Sequence, residues 1–288
     1  MKSPTLTYAA PEASLSGFIS FFYEFRSYAD HFDDVDRADY AQLRFILGGT
    51  NGWFEFVDGM RQPMPQIYVV GPTTGNTRVS GDGQIHLFGV GLLPAGWGAI
   101  MPMDAANAVN RVFNAAEIFG PIMSRAAEEL LSADEGAPRV AIGNRLIEQL
   151  IGFDDRHARK FTGLVDNWLA SDLSPDVDEL VRSSGLSRRQ VERKCNQYYG
   201  VPPKLLARKY RATRAAVKLA KGEVTPEDLL EHGFYDQSHF IRELRYFTGL
   251  TPTTIKDNLP MLSQLTIRRT ENAGISPLAA STIAPSAS

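Results

Sequence analysis

Between Ser174 and Pro252 the chain repeats itself once. An offset of 49 residues lays Val191 on Phe240, Arg193 on Arg242, Cys195 on Leu244, Tyr198 on Phe247, Gly200 on Gly249 and Pro203 on Pro252. Five of these six pairs agree in physical type, and Cys195 and Leu244 differ mainly in size. Self-similarity at a fixed offset marks a duplicated structural unit. The local signals make that unit helical. Ser174-Pro175 reads as a cap and first helical residue, opening a helix through Val177, Leu180 and Val181 that stops near Gly185. Ser187 caps the next helix, with Val191, Cys195 and Tyr198 on its inner face and Gly200 at its end. Pro202-Pro203 open a long helix to Lys221, striped by Leu206, Tyr210, Thr213, Val217 and Ala220. Thr225-Pro226-Glu227-Asp228 repeats the cap with Asp228 at the capping-box position; Gly233, Asp236 and Gly249 then mark a helix stop, a cap and a second stop.

Charge is segregated in the same region. The chain carries −3 overall, yet Arg182 to Lys221 holds twelve Lys/Arg against the single acid Glu192, a local +11 that leaves −14 on the rest. Segregation of this size points to a polyanionic partner, with a solvated helix surface as the plainer reading.

A chain of 288 residues has room for two domains of roughly 100–200 residues each. The first ~100 residues alternate like strands, in Phe18–Phe25, Leu43–Leu47, Trp53–Val57, Gln66–Val70 and Gln84–Val90. Asn51-Gly52, between two apolar runs, predicts a hairpin joining the second and third. Short strands separated by Gly, Pro and Asp predict an antiparallel sandwich or barrel. Beyond Pro94 the pattern turns helical, over 115–131 with Pro121 near a helix start, then over 140–151. Those helices either cover the sheet or pair with a second copy, making a homodimer. Phe161 to Ala170 reads as a further short helix.

The fold class expected is therefore α+β with two domains. Residues 1–155 form a β-rich, barrel- or sandwich-like sensor or dimerisation domain with trailing helices. Residues 156–260 form an all-α domain of two helix-turn-helix units on a linker helix. Residues 261–288, rich in Ser, Ala, Thr and Pro, are expected to be a disordered tail.

A capped helix following a tight glycine turn suits a DNA major groove about 12 Å wide. Two such helices, at about 187–199 and 236–248, can enter successive grooves on one face of double-stranded DNA, roughly 34 Å apart. The outward residues of the first are Arg188, Arg189, Glu192, Arg193 and Gln197. Those of the second are Gln237, Ser238, His239 and Arg242, with Arg245 suited to phosphate. Arg pairs bidentately with guanine, and Glu accepts from cytosine. For Arg193 and Arg242 an intramolecular ion pair competes with this role. The first unit sits in the basic stretch, whereas acids outnumber bases from Thr225 to Pro252, so the first should supply more of the affinity.

The run Gly233-Phe234-Tyr235-Asp236-Gln237-Ser238-His239-Phe240-Ile241-Arg242, with Gly249-Leu250-Thr251-Pro252, resembles the second-unit signature of the AraC/XylS transcriptional regulators. Gly185-Leu186-Ser187, Arg193 and Gly200-Val201-Pro202 resemble their first unit, and the likeness covers about residues 160–257. It implies sequence-specific DNA binding, a fused sensing and dimerising domain, activation as the default, and RNA polymerase as a candidate partner. Base-reading positions carried over by the likeness are Arg189, Glu192 and Arg193, then Gln237, Ser238 and His239. Cys195 and Leu244 stand where large aromatics are usual, Ile255-Lys256 replaces Tyr-Arg, and Ile241 occupies a commonly small or polar position, within reach of a thymine methyl. Gly71-Pro72-Thr73-Thr74 and Leu93-Pro94-Ala95-Gly96-Trp97 resemble segments of one sensor variety.

Other chemistries find little support. One cysteine, Cys195, rules out an intramolecular disulfide and a Cys-based zinc site, and its inward position suits a small hydrophobe. His31 and His86, the histidines of the strand-rich part, lack a partner spacing, so no metal or cofactor is expected. Arg44, Trp53, Arg78 and His86 are candidates to line an effector pocket, though a core or surface role is the plainer reading; the cofactor-binding residues stay unassigned. No signal peptide or membrane span is read, and the expected location is cytoplasmic. No phosphate loop or nucleophile elbow marks an enzyme. The alternatives are a protein-interaction module built on the basic helices, or an enzyme whose site in the N-terminal domain goes unrecognised.

Overall fold

Phe21, Phe22, Tyr23 and Phe25 are all buried, so their strand must be covered on both faces. The computed structural model describes residues 4–49, 52–152, 156–230, 233–257 and 259–267, and it shows why. The strands are β1 (Thr5–Ala9), β2 (Ile19–Ser27), β3 (His31–Asp36), β4 (Gln42–Gly48), β5 (Gly52–Phe56), β6 (Arg61–Pro63), β7 (Ile67–Val70), β8 (Thr77–Asp82), β9 (Ile85–Leu92) and β10 (Val112–Asn114). They form an antiparallel six-stranded sheet, ordered β1-β2-β9-β4-β7-β10, and a four-stranded sheet, ordered β3-β8-β5-β6. Alternation sends Phe21, Tyr23 and Phe25 into the space between the sheets, where they meet Phe32, Phe54, Phe56 and Val79. Phe22, Phe45, Phe88 and Val90 point the other way. That face is covered by α1 (Pro94–Ile100), α2 (Ala115–Phe119), α3 (Pro121–Ser132) and α4 (Ala137–Leu150), through Trp97, Met123, Leu130 and Ile147. Pro121 begins α3 as expected, and the helix read over 115–131 is broken at Gly120.

β4 and β5, the runs expected to join as a hairpin at Asn51-Gly52, do not pair, and Asn51 itself lies outside the described residues. β4 lies inside the large sheet with β7 and β9 on its two edges, leaving no edge for β5, which pairs instead with β6 and β8. The tight hairpin lies one connection later, at Asp58-Gly59, where Phe56 N–H donates to Met60 O at 2.9 Å.

The C-terminal helices are α5 (Arg156–Ser171), α6 (Val177–Ser184), α7 (Arg188–Tyr199), α8 (Pro203–Ala220), α9 (Pro226–Leu230), α10 (Gln237–Thr248), α11 (Pro252–Asp257) and α12 (Met261–Ile267). Ser187 and Gln190 close a reciprocal capping box on α7, and Thr225 and Asp228 hydrogen-bond reciprocally at the start of α9. Asp236 caps α10 through the His239 amide at 2.7 Å. Two readings need correction. The cap of α6 is Asp176, while Ser174 instead accepts a hydrogen bond from Arg211. The stretch expected to be disordered from 261 begins with α12, whose Met261 and Leu262 pack on the intersheet cluster; residues 268–288 lie outside the described residues. Burying those two apolar side chains offsets the ordering that composition alone argued against.

α7 and α10 both end against the N-terminal half. Gly200 (φ +80) and Gly249 (φ +73) close them in the left-handed region. A Cβ on Gly200 would lie 2.7 Å from Val109, and one on Gly249 would lie 2.4 Å from Val35. Gly185 (φ +66) has the same backbone with nothing within 4 Å. Gly185→Ala should therefore lose only the left-handed strain, about 1–2 kcal/mol. Gly200→Ala and Gly249→Ala should each lose measurably more in urea unfolding, because backbone strain is joined by a clash at the seam.

Candidate nucleic-acid interface

The inward faces of α7 and α10 fall where the sequence placed them: Val191, Cys195 and Tyr198, then Phe240, Leu244 and Phe247, are all buried. Burial pushes the Cys195 thiol up to about 12, so it stays a protonated, apolar side chain. Ile241 packs partly against the cluster around Phe240 and Leu250 instead of standing free for a thymine methyl.

The outward residues separate into groups. Arg189, Glu192 and Arg193 are exposed on the N-terminal half of α7, as are Gln237, Ser238 and Arg242 on that of α10. Among the described residues neither Arg193 nor Arg242 has an ion pair. Arg188 is exposed but pairs with Asp178 of α6, bracing the two helices of the first unit. Gln197 and His239 are half-buried. The His239 ring turns back on its own turn, its Nδ1 accepting from the Tyr235 amide at 3.2 Å. The Arg245 side chain is exposed, while its carbonyl faces the N-terminal half. Tyr235 escaped the sequence reading: it is 92 % exposed beside the start of α10, and only its place next to the Asp236 cap hints at that.

Part of the basic excess is internal. Arg208 of α8 donates to Glu243 of α10 at 2.6 and 3.2 Å, and Arg211 donates to the same carboxylate at 3.4 Å. Glu243 is nearly fully buried, so this triad joins the linker helix to the second unit. Arg214 donates to the Asp172 carbonyl at 2.8 Å. Arg182, Arg189, Arg193, Lys204, Lys218 and Lys221 remain exposed. Of the six basic residues on α8, Arg208, Arg211 and Arg214 thus make their contacts within the domain.

What aims the two helices is the seam with the sandwich. The end of α10 offers carbonyls to outside donors, Tyr246 and Phe247 O left over by the helix ladder and Arg245 O shared with the capping Gly249 amide. Ala38 N–H donates to Phe247 O at 2.7 Å, Asn76 N–H to Tyr246 O at 2.8 Å, and Asn76 Nδ2 to Arg245 O at 3.0 Å. The end of α7 packs against α1, with Gly98 under the Tyr198 ring. Between them the Lys209 ammonium of α8 enters the N-terminal half, donating to Asp39 O at 2.7 Å and Thr73 O at 3.0 Å over the Tyr40 ring.

The same half holds a cavity between its sheets, with about 870 Å³ of empty space including the part open to solvent. Tyr8, Phe21, Tyr23, Phe25, Phe32 and Leu87 are among its lining residues. Its polar pole is Arg44, which donates to the Tyr23 hydroxyl at 2.6 Å and Gln42 Oε1 at 2.7 Å and lies 3.9 Å from Asp36. Burial holds the Asp36 carboxyl above its ordinary range. Of the four pocket candidates only Arg44 lines it. Trp53 lies half-exposed beneath Arg61, Arg78 pairs with Asp33 on the surface, and His86 approaches Glu24 at 3.3 Å elsewhere. Among the described residues one group could gather a metal, Glu24, His86 and Glu135. Arg139 and Arg26 already pair with its two carboxylates, which leaves the group electrically satisfied without an ion.

This arrangement, two capped helix pairs on a linker helix with both second helices exposed at their starts, defines a helix-turn-helix DNA-binding domain. A family model described as "Helix-turn-helix domain" matches residues 180–258. Within those residues the chain carries the AraC/XylS type of this domain, that of DNA-binding transcription regulators. No curated protein sequence matches the chain significantly. Among solved structures, ToxT from Vibrio cholerae is similar at 11 % identity and a TM-score of 0.45, over 88 % of this chain and 97 % of that one. The AraC-like transcriptional activator CuxR is similar at 15 % identity and a TM-score of 0.31, over 79 % and 91 %. A cupin superfamily protein from Desulfitobacterium hafniense is similar at 17 % and 0.25, over 32 % of this chain and 78 % of its own. At that level no residue's role transfers. Among the described residues no helix is long and apolar enough to cross a membrane.

Lys209 makes the seam sensitive to pH. Burial lowers its pKa from 10.5 to about 8, so the folded protein holds this proton less tightly than the unfolded chain does. The buried charge opposes folding below about pH 8, and that penalty, at most about 3 kcal/mol, fades as pH rises toward 10.5. The Lys209 contribution to stability should therefore increase with pH across this window. Urea titrations at pH 7.5 and 9.5 should show it, and Lys209→Met should flatten the difference.

Proposed function

We propose that this protein is a sequence-specific transcription regulator whose residues 156–260 read double-stranded DNA while residues 1–155 sense a small molecule. The observation that carries the reading is the polarity of α7 and α10. Their C-terminal ends are buried in the seam, and their N-terminal halves present unpaired Arg, Glu, Gln and Ser side chains to solvent. Helix starts carry partial positive charge, which suits approach to phosphates. Arg189, Glu192 and Arg193 read bases in one major groove, and Gln237, Ser238 and Arg242 read the next. Arg188, Gln197 and Arg245 hold phosphates, and His239 shapes the turn that presents the second helix. The 18-residue α8 spans about 27 Å, of the order of the ~34 Å between successive grooves. Occupancy of the intersheet cavity is the signal, and activation is the output. A homodimer through the helices that cover the sheet, and contact with RNA polymerase, complete the proposed assembly.

The two units contribute unequally. Arg193 has exposed Arg189 and Lys204 in its own unit, whereas the second unit carries Glu227, Asp228 and Asp236. Gel-shift titrations on a footprinted site should show Arg193→Ala losing more affinity than Arg242→Ala, about 1–3 kcal/mol for one bidentate base contact. Affinity should fall steeply with added salt. Equal losses would refute the division of work. Absence of preference for any promoter over random DNA would refute the function.

A further inference from the structure

The segment after the second helix-turn-helix unit returns to the sandwich. α11 packs on the second unit through the buried Ile255, and α12 begins after three intervening residues, at Met261. α12 lies against β3 of the small sheet. The Leu262 amide donates to Asp34 Oδ2 at 2.7 Å, an anchor at the start of the helix. Leu262 and Thr266 form part of the cavity lining, and Met261 packs beside them on the aromatic cluster. A stretch of chain that follows the DNA-binding units thus supplies one wall of a cavity built by the N-terminal domain.

Three features make that wall removable. α12 has seven residues, short for a helix that must hold itself together, so its order depends on the contacts it makes. Met261 and Leu262 are only half-buried, unlike the cavity's fixed walls Phe21, Tyr23, Phe25 and Leu87. The remaining lining, apart from Asp39 and Met64, comes from strands whose hydrogen-bond ladders fix each of them within its own sheet. A molecule entering between the sheets therefore meets least resistance at α12.

We propose that α12 is a built-in plug of the intersheet cavity, and that a small, largely apolar effector binds there by displacing it. The chemical class follows from the lining. Aromatic and aliphatic side chains surround most of the space, and Arg44, Gln42, Tyr23 and Asp36 gather at one pole, so the ligand is an apolar body with one polar group. Displacement also releases a tether. With α12 in place the second unit is held to the small sheet at Asp34; with α12 out, that hold is gone and α10 keeps its seam at Asn76 and Ala38 and its ion pairs to α8. The inference rests on reading residues 1–155 as a sensor, and it adds the entry point and the element that moves.

The test uses the full chain and the neutral fluorophore N-phenyl-1-naphthylamine, followed by its emission on binding. Leu262→Asp weakens the plug and should tighten binding about tenfold, the ratio for a plug open about one-tenth of the time in the parent protein. Thr266→Trp fills the same wall more fully and should weaken binding. Opposite shifts from the two substitutions exclude general loosening of the fold. Saturation of the unsubstituted protein with the fluorophore should accelerate hydrogen exchange over residues 259–267. Equal affinities in the three proteins, no binding to any of them, or slowed exchange over 259–267 would each overturn the proposal. Gel shifts on the same samples keep the two readings apart: normal fluorophore behaviour without DNA binding removes the regulator and leaves the plug.

Discussion

The Lys209 ammonium between the carbonyls of Asp39 and Thr73 is the contact on which the arrangement of this molecule turns. An ionised group is buried only where polar partners surround it. The partners here are backbone oxygens of two loops in the N-terminal half, while the donor sits midway along the linker helix. The lysine therefore fixes α8 to the sandwich, and α8 carries both helix-turn-helix units. On one side the Arg208–Glu243–Arg211 triad extends that hold to α10. Tyr40, whose ring underlies Lys209, also meets the rings of Tyr199 at the end of α7 and of Tyr210 at a tilt. Residues 36–40 thus touch the cavity, the linker helix, α7 and α10 within five consecutive positions.

This seam gives the matched glycines of the duplicate a second meaning. Gly200 and Gly249 end their helices in the left-handed conformation, a local role any helix-turn-helix unit could demand. Each also abuts the N-terminal half at a distance no side chain tolerates. The repeat therefore records two equivalent docking points as well as two equivalent folds. Loss of either would let one of α7 and α10 swing while the other stayed aimed, and the proposed two-groove reading needs both.

The C-terminal half was largely legible because its signals are local. Ser187 with Gln190, Thr225 with Asp228, and the glycines at 185, 200 and 249 act within one helical turn, and the buried faces followed from three- and four-residue spacing. What misled was the direction of charge: Arg208, Lys209, Arg211 and Arg214 count toward a basic patch by sequence but turn toward Glu243, the sandwich and Asp172. In the N-terminal half the strands read from alternation exist, but pairing is long-range. Asn51-Gly52 carries a hairpin signature, and the large sheet overrides it by occupying both edges of β4. β3 and β8, with acids at 33, 34, 36 and 82, show little apolar alternation, so the cavity they help enclose could not be foreseen. The exposure of Arg189, Glu192, Arg193, Gln237, Ser238 and Arg242 was legible residue by residue, that of His239 was not, and the cavity showed in the sequence through Arg44 alone.

The central claim is that the sandwich holds α7 and α10 in one relative orientation before DNA is met. Spin labels at Arg189→Cys and Ser238→Cys, both exposed, in a Cys195→Ala background, report the distance between the helix starts by pulsed electron resonance. One narrow distance distribution is predicted in the free protein, broadened when Lys209→Met is added. A distribution already broad or bimodal with Lys209 in place, and unchanged by its removal, would contradict it.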